Sequence, residues 1–246
     1  MKIVITGATS GVGEMVARRF AGTNNDLIVT GRQQDKLAAL VRELSNDELR
    51  VIATPLDLSD CAAVEQFAAA HASGASVIIS SAADFGPTKP MTEVTADEML
   101  SVFRTNVVAP LILAKHAFPD MLKSGFGRIV DVSSTSGLSG YALRTPYCTT
   151  KHAVVGLTRT LNQEIRDSKN ATDVRAFCVC PGPIKGSRIE TQIRARMKVK
   201  GETDYRKAER SFRLRLGRFL EPEEVVNRIM SLLRSPAQTD EIVTFK

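Results

Sequence analysis

The chain has 246 residues, 43% of them hydrophobic and 24% charged, which is enough apolar material for a substantial core and too much for a disordered chain. No apolar run approaches the ~18 residues that span a bilayer, and the first residues lack a basic stretch ahead of an apolar one, so neither a membrane protein nor a secreted one is expected. Against 27 Asp and Glu stand 33 Lys and Arg, a net charge of +6, and the excess is concentrated: eleven basic but only four acidic residues lie between Arg188 and Arg218.

Residues 2–5 are a short β-rich run leading directly into Thr6-Gly7-Ala8-Thr9-Ser10-Gly11-Val12-Gly13 and then a helix over 14–21. Strand, glycine turn and helix in that order suit a dinucleotide, whose pyrophosphate is received by bare backbone and a helix N-terminus. The glycine spacing is Gly-x-x-x-Gly-x-Gly. A second strand over 27–30 ends at Gly31-Arg32, where the adenosine ribose of a bound dinucleotide lies. An acidic residue there suits the 2′-hydroxyl of NAD and an arginine suits a 2′-phosphate, so Arg32 points to NADP(H) over NAD(H). With Ser10 in the glycine loop, that loop supplies no second cation.

A third strand over 51–53 runs to Pro55-Leu56-Asp57-Leu58, followed by a helix over 61–71. The fourth strand, 77–79, enters Ser80-Ser81-Ala82-Ala83. A long helical stretch over 96–123 contains Asn106 and is expected to bend or break at Pro110. Strand five, 128–132, delivers Ser133 and Ser134. A helix carrying Tyr147 and Lys151 extends to about 168, and strand six, 174–180, closes at Pro181-Gly182-Pro183. Residues 241–245 are a last strand. Strands alternating with helices predict an α/β chain with one parallel sheet wound on both faces and ligands at the carboxyl edges of its strands.

Tyr147 and Lys151 stand four residues apart, so on a helix they share one face. A free phenol titrates near ~10, and an adjacent ammonium is expected to pull it toward the working range. Ser134, thirteen positions upstream of the tyrosine, would hold a substrate oxygen while Tyr147 exchanges a proton with it.

On Thr6, Gly7, Gly11 and Gly13, on Asp57-Leu58, and on Asn106, Ser134, Tyr147 and Lys151 in that order, the chain resembles the short-chain dehydrogenase/reductase family over essentially its whole length, including its 3-oxoacyl carrier reductase-like members. The resemblance implies one Rossmann-like domain with a small substrate-covering insert over 183–218. It implies catalysis by Asn106, Ser134, Tyr147 and Lys151, with Lys151 on the nicotinamide ribose and Asn106 supporting a water chain. The cofactor would be held by Gly7, Thr9, Ser10, Gly11, Val12, Gly13, Arg32, Asp57, Leu58, Ala82, Tyr147, Lys151, Pro181, Gly182 and Ile184. The reaction implied is NADPH-dependent reduction of a carbonyl, 3-oxoacyl groups among them. An NAD-dependent alcohol or sugar dehydrogenase and a dinucleotide-sensing regulator without turnover are the alternatives. A homotetramer (or dimer) through the long helix and the tyrosine helix follows from the same resemblance.

Three positions depart from the family's pattern. Ser80-Ser81-Ala82-Ala83 replaces Asn-Asn-Ala-Gly, Gly186 stands where a threonine is usual, and the end lacks a glycine-containing tail. The basic stretch has two open readings, steering of an anionic substrate or a solvated helix paired with Glu190, Glu202 and Glu209. Nucleic acid is not expected, because no aromatic residues interleave with the charges. No metal is expected, since His71, His116 and His152 are scattered. Cys61, Cys148, Cys178 and Cys180 suit free thiols in the reducing cytoplasm. Met91, Met99 and Met121 are expected as core fillers, and Leu216, Phe219 and Leu220 as a packed staple.

Overall fold

The computed structural model describes all residues except 22, 47–48, 214–216, 235–239 and 246. Seven parallel strands, β1 (Lys2–Thr6), β2 (Asp26–Gly31), β3 (Arg50–Pro55), β4 (Val77–Ser80), β5 (Phe126–Val132), β6 (Asp173–Cys180) and β7 (Ile242–Thr244), form one sheet in the order β3-β2-β1-β4-β5-β6-β7. The order reverses between β1 and β4, and the crevice above such a switch point is where open α/β sheets receive ligands.

Alternation along the strands divides the core into two layers, because successive side chains face opposite ways. Ile3, Ile5, Leu27, Val29 and Ile79 pack beneath α1 (Gly11–Arg18), α2 (Gln34–Leu44) and α9 (Pro222–Leu232). Val4, Ile28, Ile78 and Ile129 face α3 (Cys61–His71), α5 (Ala109–Ser124) and α6 (Thr145–Asp167). The first six strands run a residue or two beyond their predicted limits, β7 falls a residue short of its own at each end, and α3 has its predicted bounds, with Asp60 capping the amides of Ala62 and Ala63 at 3.0 Å. Helix α2 is not among the predicted elements, although Leu37, Leu40 and Leu44 repeat at helical spacing and are buried.

The predicted break near Pro110 is present. Helix α4 (Ala96–Phe103) gives way to a π-helical turn, Arg104–Val108, and α5 restarts with Pro110 in its first turn. The wider turn carries Asn106 inward, where it is 2% exposed. Such π segments recur at functional sites.

The insert consists of α7 (Ser187–Lys200) and α8 (Tyr205–Arg213), which bury Ile189, Ile193 and Ala208 against one another. A parallel bridge between Ile184 and Leu220 ties its two ends together. Leu220 is fully buried and Phe219 half-buried, while Leu216 lies outside the described residues. Met121 is buried as expected, but Met91 is 69% exposed on the 3₁₀ turn Met91–Glu93, a correction to its reading as a core filler. The four cysteines are unpaired. No helix of the described residues is long and apolar enough to cross a membrane.

Candidate active site

The carboxyl edges of β1, β2 and β4 border a groove of about 270 Å³ lined by Gly7, Thr9, Ser10, Arg32, Asp57, Leu58 and Ala82, among others. Gly7 has φ +72, and a Cβ there would stand 2.8 Å from Ala82 N, so the glycine loop and the Ser80–Ala83 turn can meet only without a side chain. The hydroxyl of Thr6 accepts a bond from Ala82 N at 3.3 Å and holds the same approach. Ser10, which lines the groove, precedes the first turn of α1 without capping it, so that turn's amides have no side-chain acceptor from Ser10. Asp57 accepts bonds from the backbone N and the hydroxyl of Ser59, at 2.9 and 2.8 Å, and these, with the Arg32 charge, hold its carboxyl below the usual range. Together these features fit the phosphates and ribose of a dinucleotide.

A second cleft, of about 310 Å³, adjoins the groove and shares Ser10 and Arg188 with it. Its floor holds Ser134, Tyr147 and Lys151, and Pro181, Gly182 and Ile184 form one wall. Pro146, at the start of α6, fixes the entry to the helix and so the placement of Tyr147. Ser134 begins the turn after β5, and its hydroxyl accepts from Ser136 N at 3.1 Å and also bonds the phenol of Tyr147. Lys151 is 2% exposed, with its ammonium donating to Val132 O at 2.7 Å and lying 5.6 Å from the centre of the Tyr147 ring.

The electrostatics differ from the sequence expectation. Burial pushes the Tyr147 phenol above its ordinary value, and Arg144, the Ser134 bond and Arg188 oppose the shift. Lys151, whose ammonium donates to a strand carbonyl beneath the ring, is not among the groups opposing the shift. Burial lowers that ammonium from 10.5 to about 8, against the pull of Cys178, Asp131 and Cys180.

Asn106 donates its side-chain amide to Asp84 O at 2.8 Å and Thr150 Oγ1 at 3.0 Å, and accepts from Asp84 N at 2.8 Å. Its side chain therefore braces the turn after β4 against α6, one residue from Lys151.

The profile of the family described as short chain dehydrogenase matches residues 1–198. The chain belongs to this family. Among its relatives, a Streptomyces violaceoruber protein named as a granaticin polyketide synthase ketoacyl reductase is 30% identical over 243 residues, 95% of this chain and 86% of that one. Dehydrogenase/reductase SDR family member 4 of Bos taurus is 33% identical over 190 residues, 75% of this chain and 66% of that one. The solved structure of a single-site variant of the actinorhodin polyketide ketoreductase with NADPH superposes with a TM-score of 0.83 at 26% identity, covering 98% of this chain and 94% of that one. A xylitol dehydrogenase bound to NAD⁺ superposes at 0.85 with 19% identity, covering 99% and 97%, and shows the fold alone.

As a short-chain dehydrogenase the chain is an oxidoreductase, and its departures from the family pattern can be read physically. Gly186 has φ +138 as it caps α7, a conformation that strains any threonine, so the substitution is built into the backbone. Ser80 Oγ is buried facing the Asp131 carboxyl, whose charged form it favours.

Sequence reasoning missed Arg144 and Asp131, and it read Arg188 only as part of the basic stretch, with no link to the glycine loop. Arg188, from α7, donates to Ser10 Oγ at 2.6 Å and supplies the second cation that the glycine loop lacks. Arg144 lies over the Tyr147 ring at 4.6 Å. Asp131 sits on β5 opposite Ser80 of β4 and Cys178 of β6, beneath α6. Only the alternation of β5, which puts Asp131 on the same side as Ser133, hinted at the last.

Burial raises the Asp131 carboxyl from 3.8 to about 6, with Ser80, Lys151 and Thr158 opposing. Between those values the unfolded chain has released the proton and the folded one keeps it, so raising the pH across that window costs stability, about 3 kcal/mol in full. Asp131→Asn is expected to remove this dependence. Melting temperatures from pH 4 to 7 should fall for the parent relative to the variant, and parallel curves would refute the assignment.

Proposed function

We propose that the chain reduces a carbonyl to an alcohol with NADPH, with Tyr147 as the proton donor. The observation that carries this reading is the junction of the two hollows: Ser134, Tyr147 and Lys151 lie at the end of the glycine-lined groove where a nicotinamide would enter. A bound nicotinamide supplies the hydride. Ser134 holds the carbonyl oxygen, Tyr147 protonates it as charge develops there, and Lys151 holds the ribose. Asn106 acts through position, keeping the Asp84 turn and α6 in register. A phenol raised by burial is protonated at neutral pH, which suits reduction better than oxidation. The ketoacyl reductases among the relatives support a carbonyl substrate, 3-oxoacyl groups included.

NADPH is favoured by two cations. Arg32 stands at the end of β2, and Arg188 spans both hollows close enough to Arg32 for the two charges to oppose each other. Like charges facing across a groove are stabilised by an anion between them. Arg32→Ala is expected to weaken NADPH binding about tenfold, a loss of ~1.4 kcal/mol, and to leave NADH binding nearly unchanged. Fluorescence titration with both cofactors checks this. Half-exposed Leu100 and Leu111, on α4 and α5, support self-association through this face.

The direct test is oxidation of NADPH and of NADH against a panel of ketones, aldehydes, oxo acids and 3-oxoacyl thioesters. Turnover of a panel member with NADPH preferred supports the reading. Failure of every carbonyl, or preference for NADH, overturns it.

A further inference from the structure

The cleft above Tyr147 is lined by Arg144, Lys151, Lys185, Arg188 and Arg196, and none of its lining residues is acidic. Two of these cations have assigned neighbours: Lys185 pairs with Glu221 at 3.0 Å, and Arg196 donates to Ser211 Oγ at 2.9 Å. Arg188 is turned to Ser10 and the cofactor side, and Lys151 lies beneath the ring. Arg144 is different. It is partly buried, its guanidinium lies against the paired rings of Tyr147 at 4.6 Å and Phe85 at 5.5 Å, and its side-chain partner is the neutral amide of Gln192 at 2.6 Å. No carboxylate among the described residues pairs with it.

A guanidinium removed from water without a counter-ion is costly, and buried charges are ordinarily paired or hold a ligand. The backbone is arranged to keep it there. Leu143, directly before it, has φ 67, the one non-glycine left-handed residue among those described, and such strain persists where surroundings enforce it, often at ligand clamps. Gln192 comes from the insert helix α7, so the insert orients the cation.

We propose that Arg144 is the carboxylate-binding residue of the substrate site, and that the substrate is a short oxo acid with a free carboxylate a few carbons from the carbonyl. The short reach follows from the stacking: the guanidinium lies over the ring whose hydroxyl serves the carbonyl, so one small molecule must span both. Guanidinium geometry matches a carboxylate with two parallel bonds. Gln192 is a positioning residue that leaves the remaining donors facing the cleft. Phe85, Leu143 and Phe212 supply the apolar walls. This inference rests on the carbonyl reductase reading and narrows it from 3-oxoacyl groups in general to the free acids.

The experiment compares acetoacetate with its methyl ester and its N-acetylcysteamine thioester, with NADPH, in the parent, Arg144→Gln and Arg144→Lys. In the parent, kcat/KM for the acid is expected to exceed that for either neutral form at least tenfold. In Arg144→Gln this ratio collapses toward one, mainly through KM for the acid, and Arg144→Lys falls between. A parent that prefers the ester or thioester, or a ratio unmoved in Arg144→Gln, overturns the inference while the reductase reading stands. Binding is measured in parallel, by thermal shift of the NADP⁺-loaded protein with acetoacetate. Stabilisation of the parent that is lost in Arg144→Gln upholds the carboxylate site even if no carbonyl is turned over, the result that sinks the reductase reading alone. Absence of stabilisation in the parent, with no preference for the acid, sinks the inference. Should Arg144→Gln fail to fold, Gln192→Leu is expected to lower the acid-to-ester ratio several-fold, and an unchanged ratio counts against the site.

Discussion

Tyr147→Phe is expected to bind NADPH as the parent does and to lose about a thousandfold or more in kcat for carbonyl reduction, the upper part of the range that positioned proton transfer contributes. Binding survives because the ring is what packs. Phe85 sits 5.0 Å from it and Arg144 4.6 Å over it, and phenylalanine keeps both contacts. Only the hydroxyl, and its bond to Ser134, is removed. The pH dependence of the parent carries independent information. Because burial raises the phenol, the reducing rate should be level through neutral pH and decline only in the alkaline range as the phenol ionises, while alcohol oxidation, which needs the phenolate, should climb over the same range. Stopped-flow single turnovers on NADPH-loaded parent and variant separate this step from cofactor binding. A Phe variant as active as the parent, or a reducing rate that grows with pH through the alkaline range, would remove Tyr147 from the proton path.

Much of this arrangement was legible in the sequence because it is written in local signals. The order of strand, glycine turn and helix at 2–18 depends on backbone needs that only certain residues meet, and Pro110 marked the interruption of the long helix. Tyr147 and Lys151 share a face by spacing alone. What could not be read is set by contacts between distant segments. Arg188 reaches Ser10 across 178 positions, so the glycine loop looked short of a cation when the insert provides one. The pull of Lys151 on the phenol was inferred from proximity along the helix, but β5 offers the ammonium a carbonyl at Val132, and burial outweighs the remaining attraction. Arg144 gave no sequence signal, since its meaning depends on having no acidic neighbour in three dimensions. Likewise the basic stretch divides between surface and cleft by contacts its spacing does not encode: Arg213 pairs with Glu209 and Lys200 with Glu202 at the surface, while Arg188 and Arg196 line the cleft and Arg215 lies outside the described residues.

Lys151→Met should separate activity from stability most sharply, losing about a hundredfold or more in kcat while gaining stability at neutral pH. The shift of the ammonium from 10.5 to about 8 represents about 3 kcal/mol spent on holding a charge in a buried site. One loss opposes the gain. Methionine leaves Val132 O without its donor, on the order of 1 kcal/mol. The attraction of Asp131 is already contained in the lysine's shift, and in the variant that carboxyl, no longer held down by the ammonium, takes up its proton at higher pH than in the parent. The balance is a net gain of roughly 2 kcal/mol at pH 7, and it should grow toward pH 6 as Asp131 protonates in the variant ahead of the parent. Above pH 8 the advantage should shrink. Between 8 and 10.5 the unfolded chain holds the lysine proton and the folded one does not, so the parent itself gains stability with pH over that window. Denaturant midpoints of parent and variant at pH 6, 7 and 10 test the whole pattern. A variant less stable than the parent at pH 7, or a difference that does not change with pH, would mean that the ammonium is stabilised by its surroundings, and that Lys151 is held in place by the fold and not at its expense.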